Sequence, residues 1–170
     1  MSEIKYSKAE RIVHPIPPLY DENSRVLILG SFPSVKSREQ AFFYGHPQNR
    51  FWRVLPALFG EAPLTTIPEK RAFCARHGIA LWDVIAACEI VGSSDSSIQN
   101  VTPNDLTSIL SVAPIARIFT NGKTADKLYK KYIFPKTKIE AVCLPSTSPA
   151  NAAWTLEKLL AEWQIVAQGL

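Results

Sequence analysis

The sequence predicts an α/β fold: a three-layer sandwich in which a central, mainly parallel four-stranded sheet is flanked by helices. Three observations carry this expectation. Four short apolar runs, at residues 25–30, 79–86, 115–120 and 139–144, have the length and composition of buried strands. Segments with helical spacing or helix-start chemistry lie between them. The strands feed polar, proline-containing loops on one side. Strands that alternate with helices build a parallel sheet covered on both faces.

Each element follows from local chemistry. The first 24 residues carry Pro15, Pro17 and Pro18 and are expected to form an extended arm over a single domain of residues 1–170. Residues 25–30, Arg-Val-Leu-Ile-Leu-Gly, form a strand stopped by glycine. Residues 31–48 read as a long loop with a helical turn inside it. Loops of that length are functional or disordered, and the aromatics here argue against disorder. Residues 49–58 start a helix, with Phe51, Trp52, Leu55 and Leu58 on one side. Thr66 and Pro68 open a second helix that stops at Gly78. Residues 79–86 form the second strand, and 89–101 a serine-rich connection. Thr102, Pro103, Asn104 and Asp105 combine a capping hydroxyl, a first-turn proline and a carboxylate suited to the helix dipole, which predicts a helix start. After the strand at 115–120, Asn121 and Gly122 turn into a helix that ends before Pro135. The strand at 139–144 is followed by a polar loop at 145–149 and a C-terminal helix at 150–163.

Composition narrows the function classes. With 170 residues, 46% hydrophobic and 20% charged, the chain can bury one sizeable core. No apolar run is long enough to cross a bilayer. The first residues, Met-Ser-Glu-Ile-Lys-Tyr, lack the apolar stretch of a secretory signal, so the expected compartment is the cytoplasm. Cys74, Cys88 and Cys143 are far apart, without a CxxC pair, and each has apolar neighbours. They are expected to be small buried hydrophobes, with no metal site and no cofactor. Nineteen basic residues against 15 acidic ones give a net charge of +4, which fits a polyanionic partner without establishing one.

In a parallel α/β sheet, ligands bind at the carboxyl ends of the strands. Four segments should meet there: Ser31-Phe-Pro-Ser34, Asp83 with its neighbours, Thr120-Asn-Gly122, and Pro145-Ser-Thr-Ser-Pro149. The densest chemistry lies in Gly30-Ser-Phe-Pro-Ser34 and Tyr44-Gly-His-Pro-Gln-Asn-Arg-Phe-Trp52. Together these hold a tight turn, stacking aromatics, two amides, a histidine and an arginine. Chemistry on a DNA base needs such a mixture, because the base must leave the stack, settle on an aromatic ring and be read along its hydrogen-bonding edge.

The strand–GSFPS loop, the HPQNRFW segment and the late LPSTSPAN loop resemble the uracil-DNA glycosylase superfamily, more narrowly its hypoxanthine-DNA glycosylase branch. The mismatch-specific uracil/thymine branch is similar, with a comparable spacing between its first loop and its HPxNRFW segment. The resemblance covers roughly residues 25–155, in the same order along the chain. It implies a monofunctional enzyme that hydrolyses the N-glycosidic bond of deaminated bases in DNA: hypoxanthine, and also uracil or xanthine. It further implies a monomer in the bacterial or archaeal cytosol. No lysine stands in the motifs as a Schiff-base nucleophile. The alternatives are a non-catalytic module that binds modified or mismatched DNA, and a hydrolase of free nucleosides.

One departure matters. Several branches place a water-activating Asn or Asp at the third position of the first loop, where this chain has Phe32. The hypoxanthine branch implies that Asn49 is the catalytic residue instead. A neutral amide can hold water by its carbonyl and donate from its NH2. The same residue could also cap the helix that follows, and the two roles can coexist. Tyr44 aligns with an aromatic that stacks on the flipped base, or is a loop aromatic tucked into the core. Ser31 and Phe32 are expected to line the same pocket. His46 could touch phosphate, position Asn49, or bond the loop backbone. Asp83 could accept from the ring N–H of hypoxanthine or uracil, which adenine and cytosine lack, or it could cap an element or pair with an arginine. Ser146, Thr147, Ser148 and Asn151 are expected to meet DNA phosphate, or to form a simple capping turn. No large apolar residue follows Ser148 to serve as a wedge. Thr120-Asn-Gly-Lys123 could hold a phosphate or merely turn the chain, and it lacks the full P-loop spacing.

Overall fold

The computed structural model describes residues 9–168 and Leu170. Among these, four strands form the central sheet: β2 (Val26–Gly30), β3 (Ile79–Asp83), β6 (Arg117–Asn121) and β7 (Ala141–Leu144). Their spatial order is β3-β2-β6-β7, and every pairing is parallel. All five residues of β2 are buried, because the strand has a neighbour on each side and a layer on each face. Alternation sends Val26 and Ile28 to one face, against Phe51, Phe73 and Trp163. It sends Leu27 and Leu29 to the other, against Ile109, Tyr129 and Ile133. Helices α2 (Phe51–Ala57), α3 (Ile67–His77) and α7 (Leu156–Gln168) supply the first layer. Helix α4 (Thr107–Leu110), then α5 (Lys123–Leu128), a π-helical turn (Tyr129–Ile133) and α6 (Phe134–Thr137), supply the second. The three-layer α/β sandwich expected from the sequence is the fold observed.

A second sheet was not foreseen. Strands β1 (Glu10–Val13), β4 (Ile85–Ile90) and β5 (Gln99–Pro103) pair antiparallel in the order β1-β4-β5. The apolar run at 79–86 is therefore two strands in two sheets, hinged at Val84. The Val84 amide donates to the Gly30 carbonyl at 2.8 Å, and Asn104 Nδ2 donates to the carbonyls of Asp83 and Ile85 at 2.8 and 3.1 Å. Asp83 alone interrupts the apolar run, and a single polar residue does not by itself announce a change of sheet. The serine-rich stretch at 89–101 contains the end of β4, a short 3-10 turn (Asp95–Ser97) and the start of β5. Thr102 and Pro103 end a strand rather than begin a helix. Edge strand β5 tolerates proline's missing amide, and Asp105 accepts the Thr107 amide at 2.9 Å just before α4.

Three further boundaries move. The helix after Gly122 continues through Pro135, which sits in the first turn of α6, just beyond the π turn, where a missing amide costs least. The C-terminal helix starts at Leu156, not 150, because the preceding residues belong to a loop held by a distant side chain described below. Inside residues 31–48 lies a true helix, α1 (Val35–Gln40), capped by Ser34. Cys74 and Cys88 are buried as expected, whereas Cys143 is exposed, because β7 is a sheet edge with uncovered residues.

Residues 1–8 of the expected arm lie outside the described residues. The rest is stitched in: β1 pairs with β4, Leu19 bridges to Leu81, and Ile16 is buried. Among the described residues, no helix is long and apolar enough to cross a membrane.

Candidate active site

A cavity of about 520 Å³ opens at the carboxyl ends of the parallel strands, a size suited to a small-molecule or single-base ligand. Its walls include Ser31, Phe32, Tyr44, His46, Asn49 and Asp83 from the sequence-derived set, with Ser146, Thr147 and Ser148 from the late loop. Asn151 is not among the lining residues. It braces the late loop instead, donating from Nδ2 to the Ser146 carbonyl at 3.0 Å.

The floor is built around Gly30. A Cβ there would stand 2.5 Å from Asp83 Oδ1 and 3.1 Å from the Tyr44 hydroxyl, so both polar groups converge on one point that only glycine leaves open. Asp83 is buried at the end of β3. Its Oδ2 accepts from His14 Nε2 at 2.7 Å. His14 Nδ1 accepts the Ile16 amide at 3.1 Å, which leaves Nε2 as the protonated nitrogen. The imidazole is wedged edge-on against Phe32 and Trp82. The capping and Asp–Arg alternatives for Asp83 give way to this pair.

Tyr44 adopts a left-handed backbone conformation, with φ of +53°. Its ring stacks on Phe51, with centroids 3.9 Å apart, so one face of the aromatic is already occupied. The hydroxyl is buried and has no hydrogen-bond partner among the described residues. Burial pushes the phenol far above its usual range, the neighbouring Asp83 charge pushes the same way, and the nearby Asn121 side chain opposes the rise. The hydroxyl therefore stays a donor, and an unpaired buried donor invites a ligand acceptor.

Asn49 lies at the centre of a polar network. Asn121 Oδ1 accepts the Thr147 amide at 3.1 Å, which fixes that side chain's orientation, and Asn121 Nδ2 donates to Thr147 Oγ1 at 3.0 Å. The Thr147 hydroxyl proton is then directed to Asn49 Oδ1 at 2.8 Å. The same oxygen accepts the Phe51 amide at 2.9 Å. Both lone-pair directions of the Asn49 carbonyl are thus filled, and the group left for the cavity is its NH2. Arg50 occupies the N-cap position of α2 without a side-chain cap bond, whereas Asn49, one residue before it, accepts the Phe51 amide, and its own amide nitrogen remains available beside that bond. The expected water contact through the carbonyl does not fit this arrangement.

Other sequence candidates also make hydrogen bonds within their own loops. His46 Nδ1 accepts the Gln48 amide at 3.1 Å, and the His46 carbonyl accepts the Asn49 amide at 3.0 Å, shaping the turn that delivers Asn49. Thr147 is fully buried and commits its hydroxyl to the network, so it offers nothing outward to a phosphate. Ser146 Oγ accepts the Ser148 amide, and Ser148 Oγ accepts the Ala150 amide. Arg50, the arginine of the HPQNRFW segment, turns inward. Its guanidinium donates to the carbonyls of Thr147, Ser148, Asn151 and Trp154. Gly122 approaches Ser146 closely, a Cβ there standing 3.1 Å from Ser146 Cβ, and Asn121 faces Thr147 rather than solvent.

Sequence reasoning missed two residues of this site, His14 and Asp95. His14 arrives from the arm, 69 positions from its partner. Asn121 lies at the mouth as expected, where it orients Thr147. Asp95, in the turn between β4 and β5, reaches back to accept the Ser31 hydroxyl at 2.9 Å and lines the cavity. Removal from solvent raises the Asp95 carboxyl above its usual range, the Ser31 bond opposes this, and the Asp83 charge adds to the rise. A Ser-Ser-Asp-Ser-Ser stretch signals only a turn.

Comparison with known proteins bears on the family and the fold. The family model described as the uracil DNA glycosylase superfamily matches residues 17–168. The chain is 34% identical over 152 residues to the hypoxanthine DNA glycosylase of Methanosarcina acetivorans, covering 88% of this chain and 94% of that protein. It is 36% identical over 138 residues to the hypoxanthine DNA glycosylase of Methanosarcina barkeri, covering 79% and 85% respectively. A solution NMR structure of a Methanosarcina acetivorans protein assigned to the uracil DNA glycosylases superposes with a TM-score of 0.79 at 32% identity, covering 93% of this chain and 98% of that one.

Proposed function

The chain belongs to the uracil DNA glycosylase superfamily, and from that premise we propose that this DNA glycosylase releases hypoxanthine from DNA by hydrolysis, leaving an abasic site. The observation that carries the choice of base is the paired acceptor and donor on the cavity floor. Asp83 Oδ1 and the Tyr44 hydroxyl converge beside Gly30. Hypoxanthine offers the complementary pair, an N1–H donor next to the O6 acceptor. Adenine carries the reverse pattern, an acceptor at N1 and a donor at N6, and would leave both floor groups mismatched, which is costly in a buried site. The names of the two Methanosarcina relatives support the same substrate. Uracil and xanthine also present a ring N–H beside a carbonyl, and we propose them as secondary substrates.

In this reading the extruded base lies on the floor, with Phe32 and the Tyr44 edge beside it, while the late loop meets the backbone through Ser146 and Ser148. Asn49 is the catalytic residue, its NH2 donating to the attacking water. No lysine lines the cavity among the described residues, which supports a monofunctional enzyme with water as nucleophile. The working unit is a cytoplasmic monomer acting on DNA.

The test is direct. Duplexes carrying a single hypoxanthine, uracil or xanthine are incubated with excess protein and treated with alkali. Strand breaks at hypoxanthine are expected at the highest rate, and a folded protein that yields none on any of the three would refute the proposal. A second expectation concerns salt. With a net charge of +4, duplex affinity should fall on the order of tenfold between about 50 and 200 mM salt, because counterions displaced by phosphate contacts gain less entropy on release into more concentrated salt. An affinity insensitive to salt would point to free nucleosides as substrate.

A further inference from the structure

The role given to Asn49 leaves the attacking water incomplete. A water that turns a lone pair toward C1′ needs an acceptor for at least one of its protons, and the Asn49 carbonyl is filled by Thr147 and Phe51. Phe32, next to Ser31 in the cavity wall, offers no acceptor. Among the described residues, two carboxylates line the cavity, Asp83 and Asp95. Asp83 gives Oδ2 to His14 and holds Oδ1 at the floor with Tyr44, where the base edge is read. Asp95 gives only Oδ1, to the Ser31 hydroxyl, and its Oδ2 makes no hydrogen bond among the described residues.

The geometry points to Asp95 as a further catalytic residue, the acceptor that orients and deprotonates the nucleophilic water while the Asn49 NH2 donates to the same oxygen. This rests on the glycosylase reading above. The water oxygen forms the new bond to C1′, and the C1′–N bond breaks with its electron pair leaving on the base. One water proton passes to Asp95 Oδ2. It then returns, directly or through solvent, to the departing base, so that one water is consumed and a neutral base is released. The ionised carboxylate also stabilises positive charge that develops on the sugar.

The surroundings suit this task. Asp95 sits on a turn of the β4–β5 hairpin and is tied to the end of β2 by a single hydroxyl, so one oxygen is held while the other remains for water. Its neighbours set its proton affinity. Asp83 at the end of β3 opposes ionisation, with His14 behind it on the arm. Arg38 on α1 binds the carbonyls of Pro33 and Gly92 near the same turn, and Tyr44 and His46 line the cavity from the loop before α2. Burial and Asp83 raise the carboxyl, against the Ser31 bond, and a base lifted toward the working pH accepts a proton better.

The experiment measures single-turnover release of hypoxanthine against pH for the wild type, Asp95→Asn and Ser31→Ala, alongside duplex affinity and melting temperature. Asparagine keeps an oxygen for the Ser31 hydroxyl, so Asp95→Asn should melt near the wild type and bind DNA normally while losing about 10²–10⁴-fold in rate. In the wild type the rate should fall as the pH drops through the Asp95 pKa, because only the ionised carboxylate accepts the proton. Ser31→Ala removes the bond that lowers that pKa, so its acidic limb should move to higher pH. If Asp95→Asn fails to fold, the Ser31→Ala shift still decides the matter. A folded Asp95→Asn with near-normal rate, or a Ser31→Ala limb that does not move, overturns the role of Asp95 alone. A wild type that releases no base overturns the glycosylase reading and this role with it.

Discussion

Asn49→Ala should lower the single-turnover rate of hypoxanthine release by about 10²–10⁴-fold while duplex affinity stays nearly intact. Two losses occur in this variant and can be told apart. The Phe51 amide and the Thr147 hydroxyl both lose their acceptor, which costs stability in the range of a lost helix cap, about 0.5–2 kcal/mol. The cavity also loses the NH2 that holds the water. Asn49→Asp separates the two, since it retains an acceptor for Phe51 and Thr147 but replaces the NH2 with an oxygen. It should melt close to the wild type and remain slow. A folded Asn49→Ala that releases base at a near-normal rate would reduce Asn49 to a cap and return attention to Asp83 and the late loop.

His14→Ala should produce the largest loss of stability among single changes at the site. The His14 and Asp83 side chains are 3% and 5% exposed, and the imidazole is the hydrogen-bond partner of Asp83 Oδ2. Removing the imidazole leaves the buried Asp83 carboxyl without its hydrogen-bond donor, at a cost of about 1–3 kcal/mol. For a chain of this size that corresponds to a fall in Tm on the order of 5 °C. The packing of the ring against Phe32 and Trp82 goes as well. Calorimetry measures the effect, and His14→Gln, which can still donate toward Asp83, should recover part of it. A Tm within about 2 °C of the wild type would mean that the carboxylate finds another partner at little expense.

How much of this was legible in the sequence depends on whether the information was local. The strands β2, β6 and β7 were visible because each is a short apolar run between turn residues. The cavity was visible because a parallel sheet gathers its loops at one end, which brought Ser31, Phe32, Asp83 and the late loop together before any contact was known. The switch at Val84 was hidden, since a run apolar enough for a central strand looks the same when its second half joins another sheet. That hidden switch concealed β5 and β1 too, and with them the turn that carries Asp95. His14 sits in a proline-rich arm with no nearby carboxylate to betray it. Arg50 has a sequence neighbourhood suited to phosphate, and only the folded chain shows four carbonyls ahead of it. The helix starts expected near 103 and 150 gave way to strand pairing and to the Arg50 bonds, and the end expected before Pro135 gave way to a π turn that lets the helix resume with proline in its first turn.

The inward turn of Arg50 has a kinetic consequence. One guanidinium gathers the carbonyls of Thr147, Ser148, Asn151 and Trp154, so the late loop holds its shape before any duplex arrives. Ordering a slack loop on contact would cost about 1–2 kcal/mol of backbone entropy for each residue fixed. Here that cost is met when the chain folds, and encounter with a duplex need not wait for a loop search. The slow event is left to the nucleic acid: a nucleotide must swing out of its stack to reach the floor. Base pairs that open readily, as those of deaminated bases in poor pairings do, then gain an advantage in time as well as in fit.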